Sequence, residues 1–368
     1  MDKQRVHTNP DHYAWLTDQL SPPSPVGSGL FRAFWVGGLI CAIGQAISDI
    51  GTRWLDLSAQ NASALTCITL ILIAALLTGG EVKEMTHKVF FTLRVPRTIM
   101  AVLCGAGLGL AGAVYQNIFK NPLASPDIIG ISSGANMGAA IAIVSAGGAM
   151  VSVAIGAFAG GLAAVAMVML LVQATRSNAT STYVLAGIII SAVAKAVIML
   201  LKYYADSESK LAAIEYWTMG SLSSITASKV EAILPFWLLG FVGLLLLHRQ
   251  VQLLSLNEEE CRSLGVRLSR VRITVLLLST LLVASIICVT GLISFAGLIA
   301  PHIARMMLGR QNTKTMVLSA MVGAGVMLVS DILARSLYSA ELPISILTTI
   351  IGVPILVWFM CKRKEARV

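Results

Sequence analysis

Residues 93–130 read LRVPRTIMAVLCGAGLGLAGAVYQNIFKNPLASPDIIG, and this stretch decides how the chain folds. After Arg97 no charged side chain occurs until Lys120. Roughly twenty consecutive apolar residues cross the hydrocarbon core of a bilayer as a helix. The run therefore predicts a membrane-spanning helix over 96–117. Its glycines at 105, 107, 109 and 112 suit close helix packing in lipid, where small residues let backbones approach. Asn121-Pro122 and Pro126 end the helix, because proline lacks an N–H and restricts the residue before it.

The pattern repeats along the chain. Of 368 residues, 56% are hydrophobic and only 12% are charged, with a mean hydropathy of +0.81. A soluble domain carries roughly 25% charged residues. Too few polar groups remain to cover a water-facing surface, so the outside must face lipid. The fold class predicted is an all-α polytopic membrane protein of about ten transmembrane helices. They are placed at 62–79, 96–117, 128–147, 149–173, 183–203, 229–247, 272–290, 294–309, 316–333 and 344–361 within a domain of residues 61–361. A polar extension, 1–60, precedes it, and a basic tail, 362–368, follows. The apolar stretch 33–48 is read as interfacial or loosely associated, with an eleventh span as the alternative. The polar start with Pro22, Pro23 and Pro25 is not that of a signal peptide.

Orientation follows from lysine and arginine, which accumulate on the cytoplasmic side. With 62–79 running outward, the segments 118–127, 174–182, 248–272, 304–315 and 362–368 hold fourteen of them. The opposite segments 80–97, 202–229 and 334–343 hold eight. The bias puts the C-terminus inside. It also accounts for the net charge of +9 without nucleic acid as a partner. The six cysteines form no CxxC pair and read as small hydrophobic residues, so neither a disulfide scaffold nor a metal site is expected.

Residues 248–271 form the longest inner loop, HRQVQLLSLNEEECRSLGVRLSRV. Leu253, Leu254 and Leu256 at helical spacing predict two short amphipathic helices hinged near Gly265. A soluble partner would cover their apolar side; a solvated loop is the alternative. Lys195 lies mid-span and either faces a path or bonds a neighbouring helix. His302 reads as a packing residue rather than a metal ligand. Asp331 and Arg335, four apart, can pair along a helix. No GxxxxGK[ST] occurs, so the chain has no phosphate-binding P-loop of its own.

From residue 94 a series of motifs occurs in a fixed order. They are Arg94-Val95-Pro96-Arg97, Asn121-Pro122-Leu123-Ala124-Ser125-Pro126-Asp127, Gly134-Ala135, Leu185-Ala186-Gly187 and Trp217-Thr218-Met219-Gly220-Ser221. Leu264-Gly265-Val266, Gly297-Leu298-Ile299-Ala300-Pro301-His302-Ile303-Ala304-Arg305, Glu341-Leu342-Pro343 and Gly352-Val353-Pro354 complete them. The series resembles the permeases of binding-protein-dependent ABC importers for iron siderophores, haem and vitamin B12, the FecCD-type permeases. It covers about three quarters of the chain. Two departures are a longer N-terminus and Ser345, where the family usually has glycine.

The resemblance implies the type II ABC importer permease fold in a bacterial inner membrane. Two permease subunits, identical or sister chains, would surround one path. ATP-binding cassette ATPase subunits would dock from inside and hold ATP and Mg, leaving this chain with no cofactor and no catalytic residue. A periplasmic substrate-binding protein would deliver cargo. Arg94, Arg97 and Arg335 would receive its acidic residues; anchoring to lipid headgroups is the alternative. Asn121, Leu123, Thr180 and Ser181 would narrow the path at its cytoplasmic end, or be ordinary turns. Arg262, Leu264, Gly265 and Val266 would meet the ATPase, and Lys195 would line the path. The Ser125–Gly130 run resembles the subset handling ferric siderophores or ferric citrate, with haem and vitamin B12 as alternatives. An ion-driven secondary transporter is the rival class. It calls for intramembrane carboxylates or helices broken at midplane, and the spans are almost free of Asp and Glu.

Overall fold

The structure is a computed structural model that describes residues 90–176, 179–205, 209–255, 268–308, 313–336 and 341–365, with Gln45 and Thr66 besides. The chain divides into two compact units, Met1–Val82 and Lys83–Val368. The stretch 33–48 and the expected span 62–79 fall outside the described residues, Gln45 and Thr66 apart. So do Arg262, Leu264, Gly265 and Val266.

The regular structure among the described residues of the second unit is all helical. A π-helical turn, Phe90–Arg94, leads into α1, Val95–Ile118. A 3-10 turn, Pro126–Ile129, precedes α2, Ile131–Ser145. Then come α3, Met150–Ala174, α4, Thr180–Tyr204, and α5, Lys210–Met219. They are followed by α6, Ala227–Leu246, α7, His248–Leu253, and α8, Leu268–Thr290. The last three are α9, Ala296–Leu308, α10, Thr313–Ser336, and α11, Ile344–Glu365.

α1 is the centre of the bundle. Lipid tails are as apolar as leucine, so helices gain little hydrophobic energy by meeting in a membrane and rely on close packing. The glycines of α1 supply it. A Cβ on Gly105 would fall on the carbonyl oxygen of Gly323 in α10, and one on Gly112 would fall on the carbonyl of Gly297 in α9. α2 and α3 pair in the same way through Gly134, Gly138, Gly156 and Gly160. By contrast α4 shows Leu185, Ile188, Val193 and Met199 on the surface of the unit, as α6 does Leu239 and Leu246.

Among the described residues, six helices are long and apolar enough to cross a membrane: Phe91–Ile118, α3, α4, α6, α8 and α10. Three other expected spans are shorter. α2 has 15 residues and α9 has 13, about 22 and 20 Å at 1.5 Å per residue, against a core of about 30 Å. The apolar part of α11 runs only from Ile344 to Val357. Over their described residues, the helices at the expected spans 128–147 and 294–309 start late because of the backbone around Pro126–Gly130 and Gly291–Phe295. Gly130 and Gly291 have φ of 81° and 70° and Phe295 has φ 65°, so neither turn continues as a helix. Both turns lie within the bundle. Pro126, Asp127 and Ser132 share a crevice with Leu108, midway along α1, and with Gly297 and Leu298 at the start of α9. The first turns of α2 and α9 therefore open on the same crevice.

The segment 202–229, expected to connect two spans on the outer side, contains α5. Gly220 ends that helix with φ 67°. The Ser221 N–H donates to the Thr290 carbonyl at 2.8 Å, and the Ile344 N–H donates to the Gly220 carbonyl at 3.1 Å. The Ser345 hydroxyl donates to the Leu292 carbonyl at 2.6 Å. The serine that departs from the family pattern thus ties α11 to the end of α8.

Candidate functional site

Three regions carry the polar groups expected to act. At the end expected to face outward, Arg94 closes the π-helical turn and is exposed. Arg97 is not exposed with it; its residue is 7% exposed. Its Nε donates to Asp331 Oδ1 at 2.7 Å and its Nη1 donates to Glu341 Oε1 at 2.7 Å. Arg335 Nη2 lies 2.9 Å from Asp331 Oδ2, the i,i+4 pair expected from sequence. One fully buried carboxylate therefore joins two arginines, and Glu341 joins the cluster from just before α11. Arg97 closes α1 onto α10, whereas Arg94, Arg335 and the half-exposed Glu341 are the groups that face outward.

At the end expected to face inward, Asn121 and Leu123 are exposed beyond α1, and the Leu123 N–H donates to Asn121 Oδ1 at 2.9 Å. Thr180 and Ser181 open α4, with Thr180 half-buried and Ser181 exposed. α4 packs on the 126–129 turn through Gly187, where a Cβ would strike the Ile128 carbonyl. The loops named from sequence thus present small polar groups and one leucine at one end of the bundle. If they face each other across two subunits, cysteines at Leu123 and Ser181 should crosslink between copies. Non-reducing electrophoresis of the pair reads this, and absence of any dimer band after oxidation would refute it.

The segment after α6 differs from expectation. Leu254 was expected to be covered by a soluble partner, yet it is 1% exposed and packed within the chain's own core. Val251 is fully buried, and the Gln252 Nε2 donates to Thr313 Oγ1 at 2.8 Å. α7 therefore roots the inner loop in the bundle beside α1, α8 and α10. Its apolar side is satisfied at home because it follows α6 after a single residue, which leaves no slack to reach outward. His302 is fully buried with its Nδ1 3.0 Å from the Leu298 carbonyl oxygen, the packing role read from sequence. Arg305 of the same helix donates to Gln116 of α1.

Midway through the bundle lie two further groups. Lys195 is exposed on α4 among apolar side chains, on the surface of the unit rather than inside it. Asp127 was quoted from sequence only as part of a motif. It stands in the crevice beside Leu108 and accepts hydrogen bonds from Ser132 and, at 3.5 Å, from Ser125. The signal available was the Pro126-Asp127 pair next to Gly130, but placing it at mid-depth required the turn to fold back along α1.

The chain is similar to proteins of known type across this whole region. The model of the FecCD transport family matches residues 57–362. The molybdate import system permease protein MolB of Haemophilus influenzae is 37% identical over 288 residues, 78% of this chain and 85% of that one. The hemin transport system permease protein HmuU of Yersinia pestis is 35% identical over 289 residues, 76% of this chain and 85% of that one. A metal-chelate type ABC transporter solved in an inward-facing conformation superposes with a TM-score of 0.75 at 35% identity, covering 81% of this chain and 98% of that one. With the helical bundle, the apolar spans and these relatives agreeing, this chain belongs to the FecCD transport family and is a permease subunit of an ABC importer, a multi-pass membrane protein and not the ATPase.

Proposed function

We propose that the chain is one of two permease subunits of an importer that carries a ferric siderophore or ferric citrate across a bacterial inner membrane. The observation that carries the ATP-driven reading, beyond family membership, is the seating of α7. Val251, Gln252 and Leu254 tie the start of the 248–271 loop to α1, α8 and α10. A push on that loop from a docked ATPase would reach the bundle through packed side chains rather than a slack tether. ATP and Mg belong to that partner. A periplasmic binding protein supplies cargo to the exposed outer groups, Arg94 and Arg335. The exposed apolar face of α4, with Lys195 in it, suits a path between two subunits, where a cation would attract an anionic ferric complex.

The Ser125–Gly130 run supports an iron complex. Haem and vitamin B12 are the alternatives, and the relatives include a molybdate and a hemin permease. The short helices α2 and α9 and the carboxylate of Asp127 would also suit an ion-driven carrier, in which broken helices meet at midplane. One experiment separates these readings. The chain is reconstituted in liposomes with its ATPase and binding protein, and uptake of radiolabelled ferric citrate and ferric siderophores is followed. Uptake should require ATP inside the compartment that the ATPase faces, and should resist excess haemin and cobalamin. Uptake by the permease alone under a proton or sodium gradient would refute the proposal.

A further inference from the structure

Arg272 stands in the second turn of α8, just after the inner loop, and Tyr183 stands in the first turn of α4, two residues after Ser181. The Arg272 guanidinium carbon lies 5.5 Å from the centroid of the Tyr183 ring. The two residues are 3% and 2% exposed. A guanidinium within about 6 Å of an aromatic centroid is attracted by the ring quadrupole, and the attraction grows as water is excluded. Their helices share α2 and α3 as neighbours but differ in the rest. α4 packs mainly on α2, α3 and the 126–129 turn, while α8 packs mainly on α6, α3 and α1. The contact thus joins the stem of the 248–271 loop directly to the helix end that carries Thr180 and Ser181.

We propose that Arg272 and Tyr183 form a positioning pair that transmits movement of the loop stem to the start of α4, and so sets the inner gate according to the state of the ATPase. This rests on the reading of 248–271 as the ATPase-docking loop. A buried guanidinium cannot trade its partners for water without a desolvation cost. If α8 tilts at its inner end, the ring is carried with the cation. The planar guanidinium also makes a face contact that a lysine ammonium, a compact point charge, reproduces poorly.

The test uses the assembled transporter, with ATPase and binding protein, in proteoliposomes. Tyr183→Phe keeps the ring face and loses only the hydroxyl; Tyr183→Leu loses the face; Arg272→Met loses the cation. Ferric citrate moved per ATP hydrolysed is measured for each. So is the nucleotide dependence of a disulfide between the two copies of a Ser181→Cys background. Loss of one cation–π contact should lower the transport ratio about tenfold for Tyr183→Leu and Arg272→Met, with the crosslink no longer responding to nucleotide. Tyr183→Phe should stay within about twofold of the parent. The double variant Tyr183→Leu/Arg272→Met should be no worse than either single one. Unaltered coupling and crosslinking in Tyr183→Leu would overturn the proposal, as would a Phe variant as impaired as the Leu variant. If Arg272→Met fails to assemble, the comparison of Phe with Leu at 183 still decides. Failure of the ATP-driven reading would be seen separately, as absence of ATP-dependent uptake in the parent protein.

Discussion

Replacing Arg97 with methionine is expected to destabilise the protein by about 3–5 kcal/mol, because breaking a buried ion pair leaves an uncompensated charge. Asp331 is 1% exposed and loses its 2.7 Å partner, and Glu341 loses its own. Arg335 remains within 2.9 Å of Asp331, so the loss falls toward the lower end of that range. Denaturation of the purified protein in mixed micelles reads the change. The double variant Arg97→Met/Asp331→Leu should recover part of the loss, since an apolar pair of similar volume needs no partner. Arg94→Glu is the contrast. Arg94 is exposed, so its replacement should shift stability by no more than about 0.5 kcal/mol. It should nevertheless weaken capture of the loaded binding protein, because a reversed rim charge repels an acidic partner. An Arg97→Met protein that is fully stable but fails only in capture would show that Arg97 docks the partner directly.

The second large effect concerns α1. Gly105→Val and Gly112→Val should each cost more than about 3 kcal/mol and leave little folded protein in the membrane. The atoms in the way are the backbone carbonyls of Gly323 and Gly297. Backbone cannot swing aside as a side chain can, so α1 would have to part from α10 or α9. Gly243→Ala is the control. There the nearest atoms are the methyl ends of Leu278 at 3.1 Å, which can rotate, and the expected cost is below about 1 kcal/mol. The fraction surviving detergent extraction as a monodisperse species measures both. Normal yield of Gly112→Val would mean that the approach of α1 and α9 is looser than the geometry here.

These contacts divide the bundle mechanically. α1, α9 and α10 are joined by backbone-to-backbone packing and by the Arg97 cluster, so they should move as one block. α4 carries the inner loop residues on a helix whose apolar surface is mostly uncovered within the chain. It has fewer neighbours to part from than α1 when it shifts, which suits a gate. The Arg272–Tyr183 contact links α4 directly to the start of α8.

The sequence alone determined the membrane class and the family. Those follow from local quantities: runs of apolar residues, the bias of lysine and arginine between segments, and motifs in fixed order. Asp331 and Arg335 were legible as a pair because they lie one helical turn apart. Arg97 was not legible as their companion, since it meets Asp331 across 234 residues and Glu341 across 244. The same reason hides the late starts of α2 and α9. An apolar run of near-spanning length looks the same whether it crosses the bilayer or starts within the bundle. Only the fold shows that the turns at 126–130 and 291–295 return to the level of Leu108, that Asp127 stands there, and that Leu254 is covered by its own chain. Side-chain partners distant in sequence are chosen by packing, and packing is a property of the assembled helices.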